Sequence, residues 1–577
     1  MFFRIKPSGP REYVQIVENR WENGRSRQHV IATVGRADRL AETGALAALL
    51  RSGARFSDQV MLLSALENED SGPSMQARRI GAPLLFGRLW EETGCRRVLA
   101  DLLAERGFEF PVERAVFAAV LHRIMIAGSD RACEKWLADY AIPETEDLAL
   151  HHFYRAMAWL GEELGEDGQT DATPFAPRCT KDVIEETLFE RRRDLFTDLS
   201  VVFMDTSSLS FTGAGGETLG QRGHSKDHRP DLNQMIVAFV VDGDGRPICS
   251  EMWPGNTADV SVLVPVIDRL QARFGIKRAC IVADRGMIAA QTIRALEQRG
   301  LEYILGVRER SEKVVRQVVL QDTQPFTPLL IERAAGETQL FAKEVKVDGK
   351  RYIVCRNEAE AAKDRADREA VVAGLEAQLK RGDKALIGNS AYRRYLRVTD
   401  REQKAFEIDP GKLADEAQYD GIFVLRTNAR ISPLQAVLRY RDLLQVEELF
   451  RTAKALMHTR SIYNSSDAAI RGHVFCSFLA LVLRQELQER CAGAGIKPEW
   501  GDVLRELDRL QQASIEHDGK TWQVRTEATG TVNALAKAVG IALPPRVQTT
   551  GPPEPEHPSP PKPSKRRGRP RHGATSA

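Results

Sequence analysis

The chain has 577 residues, of which 42% are hydrophobic and 28% are charged, and its 82 Lys and Arg residues nearly balance its 80 Asp and Glu residues. This composition is typical of a folded multidomain protein and excludes a wholly disordered or fibrous chain. The net charge is only +2, so any nucleic-acid-binding surface has to be local. The sequence shows no membrane span, no secretory signal and no C-x-x-C pair, and we therefore expect a cytoplasmic protein with no membrane partner.

The amino-terminal segment, residues 1–38, is predicted to form a β-hairpin. Residues 12–34 alternate apolar and polar positions on either side of Asn23-Gly24, a dipeptide typical of tight hairpin turns. Residues 1–34 contain six Arg or Lys residues and three Glu residues. Two interpretations stay open: a basic ribbon that lies in a DNA groove, and an ordinary solvated hairpin.

Residues 39–198 show helical periodicity and are predicted to be an all-α region. No motif in this region points to chemistry. It could recognise DNA or mediate assembly, and the sequence does not distinguish these roles.

Residues 199–307 are predicted to form the first part of an α/β core. The apolar run LSVVFMD ends in Asp205, and a second run, ACIVAD, ends in Asp284. Short continuous apolar runs are typical of strands that are buried on both faces. With the pair NQMIVAFVVD and PICSEMW, two helices and the strand YILGV, the predicted order is β-β-β-α-β-α-β. Two of these strands deliver an aspartate at their carboxyl ends.

The remaining chain is predicted to consist of four segments. A mostly β insertion that includes a charged helix is followed by the second part of the core, a helical and β segment, and a basic, proline-rich tail that should be disordered because it cannot bury enough apolar surface. These segments are residues 308–418, 419–490, 491–543 and 544–577.

One predicted helix, from about Pro433 to Met457, carries a distinctive polar face. Tyr440, Glu447 and Lys454 are each seven residues apart, close to two helical turns, so they stack on one side with Arg451 between the last two. A carboxylate flanked by a phenol and two cations suits a site that holds metal and phosphate together. The neighbouring Glu448 points about 100° away, and we therefore prefer Glu447 as the functional acid.

Asp205, Asp284 and Glu447 together fit metal-dependent phosphodiester chemistry. Mg²⁺ takes oxygen ligands and is usually held by a few carboxylates with substrate phosphates. Two such ions can activate the attacking oxygen and stabilise the leaving oxygen at phosphorus. The competing interpretation is that each acid alone is a turn, cap or solvated surface residue.

The chain resembles the DDE transposases of bacterial insertion sequences, in the branch with a Tyr-x2-Arg-x3-Glu-x6-Lys signature. The similarity extends from about Phe86 to Gln488. It rests on VVFMDTSSLSF, GHSKDHRPDLNQ with MWPGNTAD, IVADRGM, and the spacing of Tyr440, Glu447 and Lys454. The resemblance implies an α/β multidomain protein with a ribonuclease-H-like mixed sheet, interrupted by a mostly β insertion and preceded by a β-hairpin and an all-α region. It also implies that Asp205, Asp284 and Glu447 are the catalytic metal ligands.

The same resemblance implies the reaction and its partners. The enzyme would bind the terminal inverted repeats of its element, nick double-stranded DNA with water, and use the freed 3′-hydroxyl to attack the target. Two Mg²⁺ ions per active site are implied, with Mn²⁺ as a substitute, and so is a homodimer on DNA. Two rival functions are a catalytically inactive DNA-binding regulator descended from a transposase and a ribonuclease-H-like nuclease.

One residue departs from the family signature. The signature arginine position is Leu443 in this chain, so a phosphate contact expected from the family is missing. Arg439, Arg441 or Arg451 could replace it. We expect phosphate contacts from Tyr440, Arg441, Arg451 and Lys454.

The tail contains Arg567-Gly568-Arg569-Pro570, which resembles an AT-hook. In such a motif the glycine permits close approach and the two arginines reach along a narrow A·T minor groove. The alternative is a generic basic tail attracted to phosphate.

Overall fold

The computed structural model describes most of the chain. The described residues are 2–22, 25–46, 49, 74–170, 176–193, 201–223, 229–276, 280–283, 290–307, 309–310, 312–333, 336–380, 394–400, 405–443, 452, 462, 464–517 and 520–550. For a few strand and helix residues within these ranges, Asp205 among them, only the backbone is described.

The described part of the first 193 residues contains three strands, a short helix, a fourth strand and then a series of helices. The strands are β1 (Phe2–Ser8), β2 (Arg11–Glu22), β3 (Arg25–Arg36) and β4 (Ser74–Arg79). The helices are α1 (Ala37–Glu42), α2 (Gly81–Glu92), α3 (Cys95–Leu103), α4 (Val112–Met125), α5 (Asp130–Leu137), α6 (Leu150–Leu160) and α7 (Thr180–Arg192).

Residues 201–427 contain groups of strands separated by helices. The strands are β5 (Val201–Ser210), β6 (Gln234–Asp242), β7 (Pro247–Pro254), β8 (Cys280–Ala283), β9 (Glu302–Gly306), β10 (Thr327–Arg333), β11 (Gly336–Val347), β12 (Lys350–Arg356), β13 (Leu396–Asp400), β14 (Ala405–Ile408) and β15 (Ile422–Thr427). The helices are α8 (Asp259–Phe274), α9 (Ala290–Gln298), α10 (Glu358–Leu379) and α11 (Pro410–Ala417).

The last part of the chain is helical and then mixed. Residues 433–443 form helix α12. They are followed by α13 (Asp467–Gly493), α14 (Trp500–Arg509), β16 (Gln511–His517), β17 (Lys520–Arg525), α15 (Gly530–Val539) and β18 (Val547–Thr550).

The chain divides into two compact units. The terminal unit comprises the described parts of residues 1–81, 505–533 and 542–577, and the central unit comprises those of 82–504 and 534–541. The central unit contains a nine-stranded sheet with the order β10-β11-β12-β15-β9-β8-β5-β6-β7. Within it β5, β8 and β9 run parallel, and the other neighbouring pairs are antiparallel.

The core strands form near where the sequence predicted them, because their apolar runs are buried, but β5 continues to Ser210, so Asp205 lies within this strand and not at its carboxyl end as predicted. Every residue of β6 is buried, and the predicted antiparallel pair β6–β7 is confirmed. On one face of the sheet Val202 and Met204 of β5 belong to a cluster with Val266 of α8 and Leu296 of α9. On the opposite face the ring of Phe239 stacks on Phe478 of α13, with centroids 6.3 Å apart.

The predicted insertion is only partly separate from the core sheet. Strand β12 pairs with β15 from Arg351↔Thr427 to Arg356↔Ile422, and β15 pairs with β9. Strands β10, β11 and β12 therefore extend the core sheet. Helix α10 and strands β13 and β14 instead pack around a small cluster that contains Leu375 and Leu396.

A buried cluster of charged side chains joins α7 to the core sheet. The Nη1 atom of Arg273, on α8, lies 3.1 Å from Asp182 and 3.0 Å from Glu251, and its Nη2 lies 2.7 Å from Glu185. Burial alone would raise the pKa of Asp182, but Lys181 and Arg273 outweigh it and hold this pKa below its ordinary value. Such a network stabilises only while its charges remain paired.

The terminal unit contains two antiparallel sheets. In the first, β2 pairs with both β1 and β3, so the predicted β2–β3 pairing is confirmed and a third strand joins it. In the second, the order is β18-β17-β16-β4. This sheet corrects two predictions: the all-α region contains β4, and the tail predicted to be disordered from residue 544 begins with β18. Strand β4 could not be recognised locally, because its partner β16 lies more than 400 residues along the chain, and β18 becomes a strand through its pairing with β17.

Among the described helices, none is both long and apolar enough to cross a membrane.

Candidate active site

Two parallel strands carry the backbone positions around the first two predicted acids. Asp205 lies within β5 and pairs in register with Phe239 of β6. Met204, the preceding residue, pairs with Ala283, the last residue of β8. Asp284 follows Ala283 in the sequence but lies outside the described residues. The pairing thus aligns the residue before Asp205 with the residue before Asp284.

Tyr440 is the described part of the predicted polar face. Its ring stacks on Phe423 of β15, with centroids 6.4 Å apart and planes 17° apart. A Cβ atom added at Gly306, the last residue of β9, would overlap the Tyr440 hydroxyl. Leu305, the residue before Gly306, pairs with Ala283. Tyr440, on α12, therefore lies against the carboxyl end of β9. Strand β9 is the neighbour of β8, the strand that Asp284 follows.

Three other residues of α12 bear on the missing signature arginine. Leu443 is 3% exposed, so position 443 is a packing position. Arg439 lies against Cys280, the first residue of β8; burial raises the pKa of this thiol to about 12, and the arginine opposes that rise. The Nη1 of Arg441 is shielded from solvent and has no hydrogen-bond partner among the described residues. Arg441 also lies near the thiol of Cys355 on β12, where its charge opposes the rise in pKa that burial causes.

The other predicted site residues cannot be placed. They lie outside the described residues, and they are Glu447, Arg451, Lys454, Arg567, Gly568 and Arg569.

Comparison with known protein families gives two matches. The family described as transposase DDE domain matches residues 197–483, a segment that contains all three predicted acids. The family described as IS1634 family transposase, N-terminal domain, matches residues 3–69. The chain belongs to the DDE transposases of insertion sequences. No curated protein matches this transposase.

A fourth acid, Asp467, lies in the first turn of α13 and contacts the loop that follows β5. Its carboxylate accepts hydrogen bonds from the backbone N–H groups of Glu217 at 3.0 Å, Thr218 at 3.0 Å and Leu219 at 3.3 Å. These donors occupy the carboxylate, so Asp467 anchors the loop after β5 in the transposase and is poorly suited to bind a metal.

The described side chains of the transposase contain no group of three or more His, Cys, Asp or Glu residues that could hold a metal ion. The carboxylates of Asp182, Glu185 and Glu251 are paired with the buried guanidinium of Arg273. DDE transposases generally use divalent metal ions. The carboxylates considered for this role in the transposase, those of Asp205, Asp284 and Glu447, are not among the described side chains.

Sequence reasoning missed two residues that position Tyr440. Gly306 leaves the space that the phenol occupies, and Phe423 supplies the ring on which it stacks. In the sequence, Gly306 is recognisable only as the glycine near the end of the predicted strand YILGV. A glycine at this position is a signal for close approach of another group, although the sequence does not say which.

Proposed function

We propose that this transposase binds the terminal inverted repeats of its insertion sequence and catalyses metal-dependent DNA cleavage and strand transfer with Asp205, Asp284 and Glu447. The observation that carries the proposal is the pairing of Met204 with Ala283 on adjacent parallel strands. This register supports neighbouring positions for the two aspartates that follow these residues. A pair of carboxylates on adjacent parallel strands is a suitable start for a Mg²⁺ site.

The strand order supports a ribonuclease-H-like core. Along the chain the first three strands, β5, β6 and β7, form an antiparallel meander, and β8 and β9 then add on the other side of β5, parallel to it. A first strand in the middle of the sheet supports a position for Asp205 next to Asp284, the residue that follows the fourth strand, β8. The third acid would come from the continuation of α12, whose Tyr440 lies at the carboxyl end of β9.

The donor set fits the hard cations that DDE transposases use, since carboxylate oxygens are the ligands Mg²⁺ and Mn²⁺ prefer. A bound pair of Mg²⁺ ions, or Mn²⁺ in their place, would activate the attacking oxygen and stabilise the leaving oxygen of a displacement at phosphorus. Asp205, Asp284 and Glu447 would hold the ions.

Around this site we assign phosphate contacts to Tyr440, Arg441, Arg451 and Lys454. The support for Arg441 is that it follows Tyr440 on α12 and that its side chain is partly exposed. Because Leu443 is buried, its presence has a packing explanation and does not by itself favour an inactive regulator.

Two further contacts with DNA belong to the proposal. Arg567, Gly568 and Arg569 would act as an AT-hook in the minor groove of A·T-rich DNA. The transposase would act on DNA as a homodimer, because two element ends have to be joined.

The experiment uses a plasmid that carries both stretches of DNA flanking the coding sequence. Purified full-length protein is incubated with this plasmid and Mg²⁺, and the products are mapped to the nucleotide. The proposal predicts nicks at the ends of inverted repeats and joining of these ends to a target. Binding without cleavage would favour the regulator, and cleavage of unrelated duplexes or hybrids at the same rate would favour the nuclease.

A further inference from the structure

The amino-terminal sheet contains a two-stranded extension. Strand β1 pairs with β2 only from Phe2↔Val17 to Ser8↔Arg11. The β2–β3 pairing continues for five more residue pairs, from Glu18↔His29 to Glu22↔Arg25. These pairs form a ribbon about 16 Å long. We call residues 18–22 and 25–29 the arm.

The arm exposes an aromatic side chain near its tip. Trp21 is 78% exposed, and its register partner Ser26 is also exposed. A tryptophan buries a large apolar area when it is packed, so Trp21 offers an apolar contact to a partner of the arm.

The arm also places two arginines directly opposite each other. Arg20 and Arg27 are register partners, so their side chains lie on the same face of the ribbon. Arg20 forms an ion pair with Glu18 and its side chain is still 62% exposed. Arg27 is exposed and has no ion pair among the described residues. Like charges directly opposite each other destabilise a strand pair, and an anion between them would remove that cost.

From these observations we propose that the arm enters the major groove of double-stranded DNA, with Arg20 and Arg27 on the phosphates of one groove wall and Trp21, which points to the opposite face of the ribbon, against the sugars of the other wall. The major groove is about 12 Å wide and admits a two-stranded ribbon. The exposed arginine pair complements phosphate charge, and this favours DNA over a second copy of the chain as the occupant. This inference rests on the proposed function, because it names the surface through which the transposase contacts its DNA.

The test compares DNA affinities of full-length variants by fluorescence anisotropy. The probe is a labelled 30-base-pair duplex taken from the DNA that flanks the coding sequence. The variants are the double substitution Arg20→Gln with Arg27→Gln, the single substitution Trp21→Ala, and the control Arg39→Gln, which removes an exposed charge of the same unit outside the arm. The mutated side chains are exposed, so thermal unfolding should match the wild type.

The double arginine variant should bind at least about tenfold more weakly and lower the slope of log affinity against log salt by about 2. Trp21→Ala should weaken binding without changing the salt slope, and Arg39→Gln should stay within about twofold of the wild type. Arm variants that bind as the control does would overturn the proposal. A change in the sedimentation coefficient of Trp21→Ala with unchanged DNA affinity would also overturn it, and would assign the ribbon to contacts between protein chains.

Cleavage of the flanking DNA, measured in parallel, separates this inference from the proposed function. If the wild type binds and cleaves while the arm variants bind equally well, only the arm assignment fails. If the wild type neither binds nor cleaves, the proposed function itself fails.

Discussion

Gly306 determines how closely Tyr440 approaches the end of β9. A methyl group at position 306 would overlap the phenol oxygen, so Gly306→Ala should displace Tyr440 and cost about 1–3 kcal/mol of unfolding free energy. The rate of DNA cleavage should fall as well. Gly374→Ala is the control, since no heavy atom lies within 4 Å of a Cβ there and alanine in a helix gains up to about 1 kcal/mol. Urea unfolding measures the unfolding free energy of both variants. Equal stabilities of the two variants would contradict the role of Gly306.

His122 gives the fold a dependence on pH. Its ring is buried, lies 5.2 Å from that of Trp136 and is near Arg123 and Asp130. Burial first, and then the charge of Arg123, lower its pKa to about 4, whereas Asp130 acts in the opposite direction. The unfolded chain therefore binds more protons between pH 6.5 and 4, and the stability contributed by neutral His122 is lost as pH falls through this range.

His122→Gln should remove this dependence. The difference in unfolding free energy between wild type and variant should be largest above pH 6.5 and should shrink toward pH 4, by up to about 3 kcal/mol. Urea midpoints at several pH values provide the measurement. A difference that stays constant over this range would show that His122 does not titrate as described.

At the level of single residues, the sequence assigned Asp205 to the correct strand but not to the correct place in it, because β5 continues to Ser210, and Asp284 and Glu447 lie outside the described residues. Asp205 could be assigned to a strand because VVFM precedes it as a continuous apolar run. The packing of Tyr440 on Gly306 and Phe423 could not be predicted, since these residues come together only when α12 docks on β9 and β15.

At the scale of elements, the ionic cluster between α7, α8 and β7 should be a major contributor to the stability of the central unit. Arg273→Met removes the cation that faces Asp182, Glu185 and Glu251 and leaves buried carboxylates without it. The expected cost is about 3–5 kcal/mol.

Arg299→Met provides a matched control for this prediction. Arg299 pairs with Asp268 at the surface, where the two side chains are 30% and 48% exposed, and its loss should cost less than about 1 kcal/mol. Urea unfolding curves of the two variants are compared with the wild type. If both variants unfold at the same urea concentration, the cluster does not have the assigned importance.

Some strands could be predicted from local sequence patterns, and others could not. Strands β6 and β7 were predicted because an apolar pair flanks a Gly-Asp-Gly turn. Strand β4, SMQARR, lacks such a pattern and becomes a strand only through its pairing with β16. The same applies to the insertion, because its attachment to the core sheet depends on the long-range pairing of β12 with β15.

At the scale of the whole molecule, the tail should contribute DNA affinity. Because β18 ends at Thr550, the tail has to be removed from Gly551 onward to leave the described fold intact. This deletion should weaken binding to A·T-rich duplexes more than to G·C-rich ones, since arginines favour the narrow A·T minor groove. Electrophoretic mobility shifts with both duplexes provide the measurement.

A charge-preserving variant distinguishes the AT-hook from a generic basic tail. Replacing Arg567 and Arg569 together by lysine keeps the charge and removes the planar guanidinium groups. If the motif is an AT-hook, the double lysine variant should lose its preference for A·T-rich duplexes. An unchanged preference would mean that the tail acts only through its charge.

Asp205, Asp284 and Glu447 are proposed to form one metal-dependent site. The most direct measurement is the rate of Mg²⁺-dependent nicking of element-end DNA by Asp205→Asn, Asp284→Asn, Glu447→Gln and the control Glu448→Gln, with DNA binding recorded for each. We predict that the first three variants bind DNA but do not nick it, and that Glu448→Gln nicks at nearly the wild-type rate. Nicking at the wild-type rate by any of the first three would contradict the assignment.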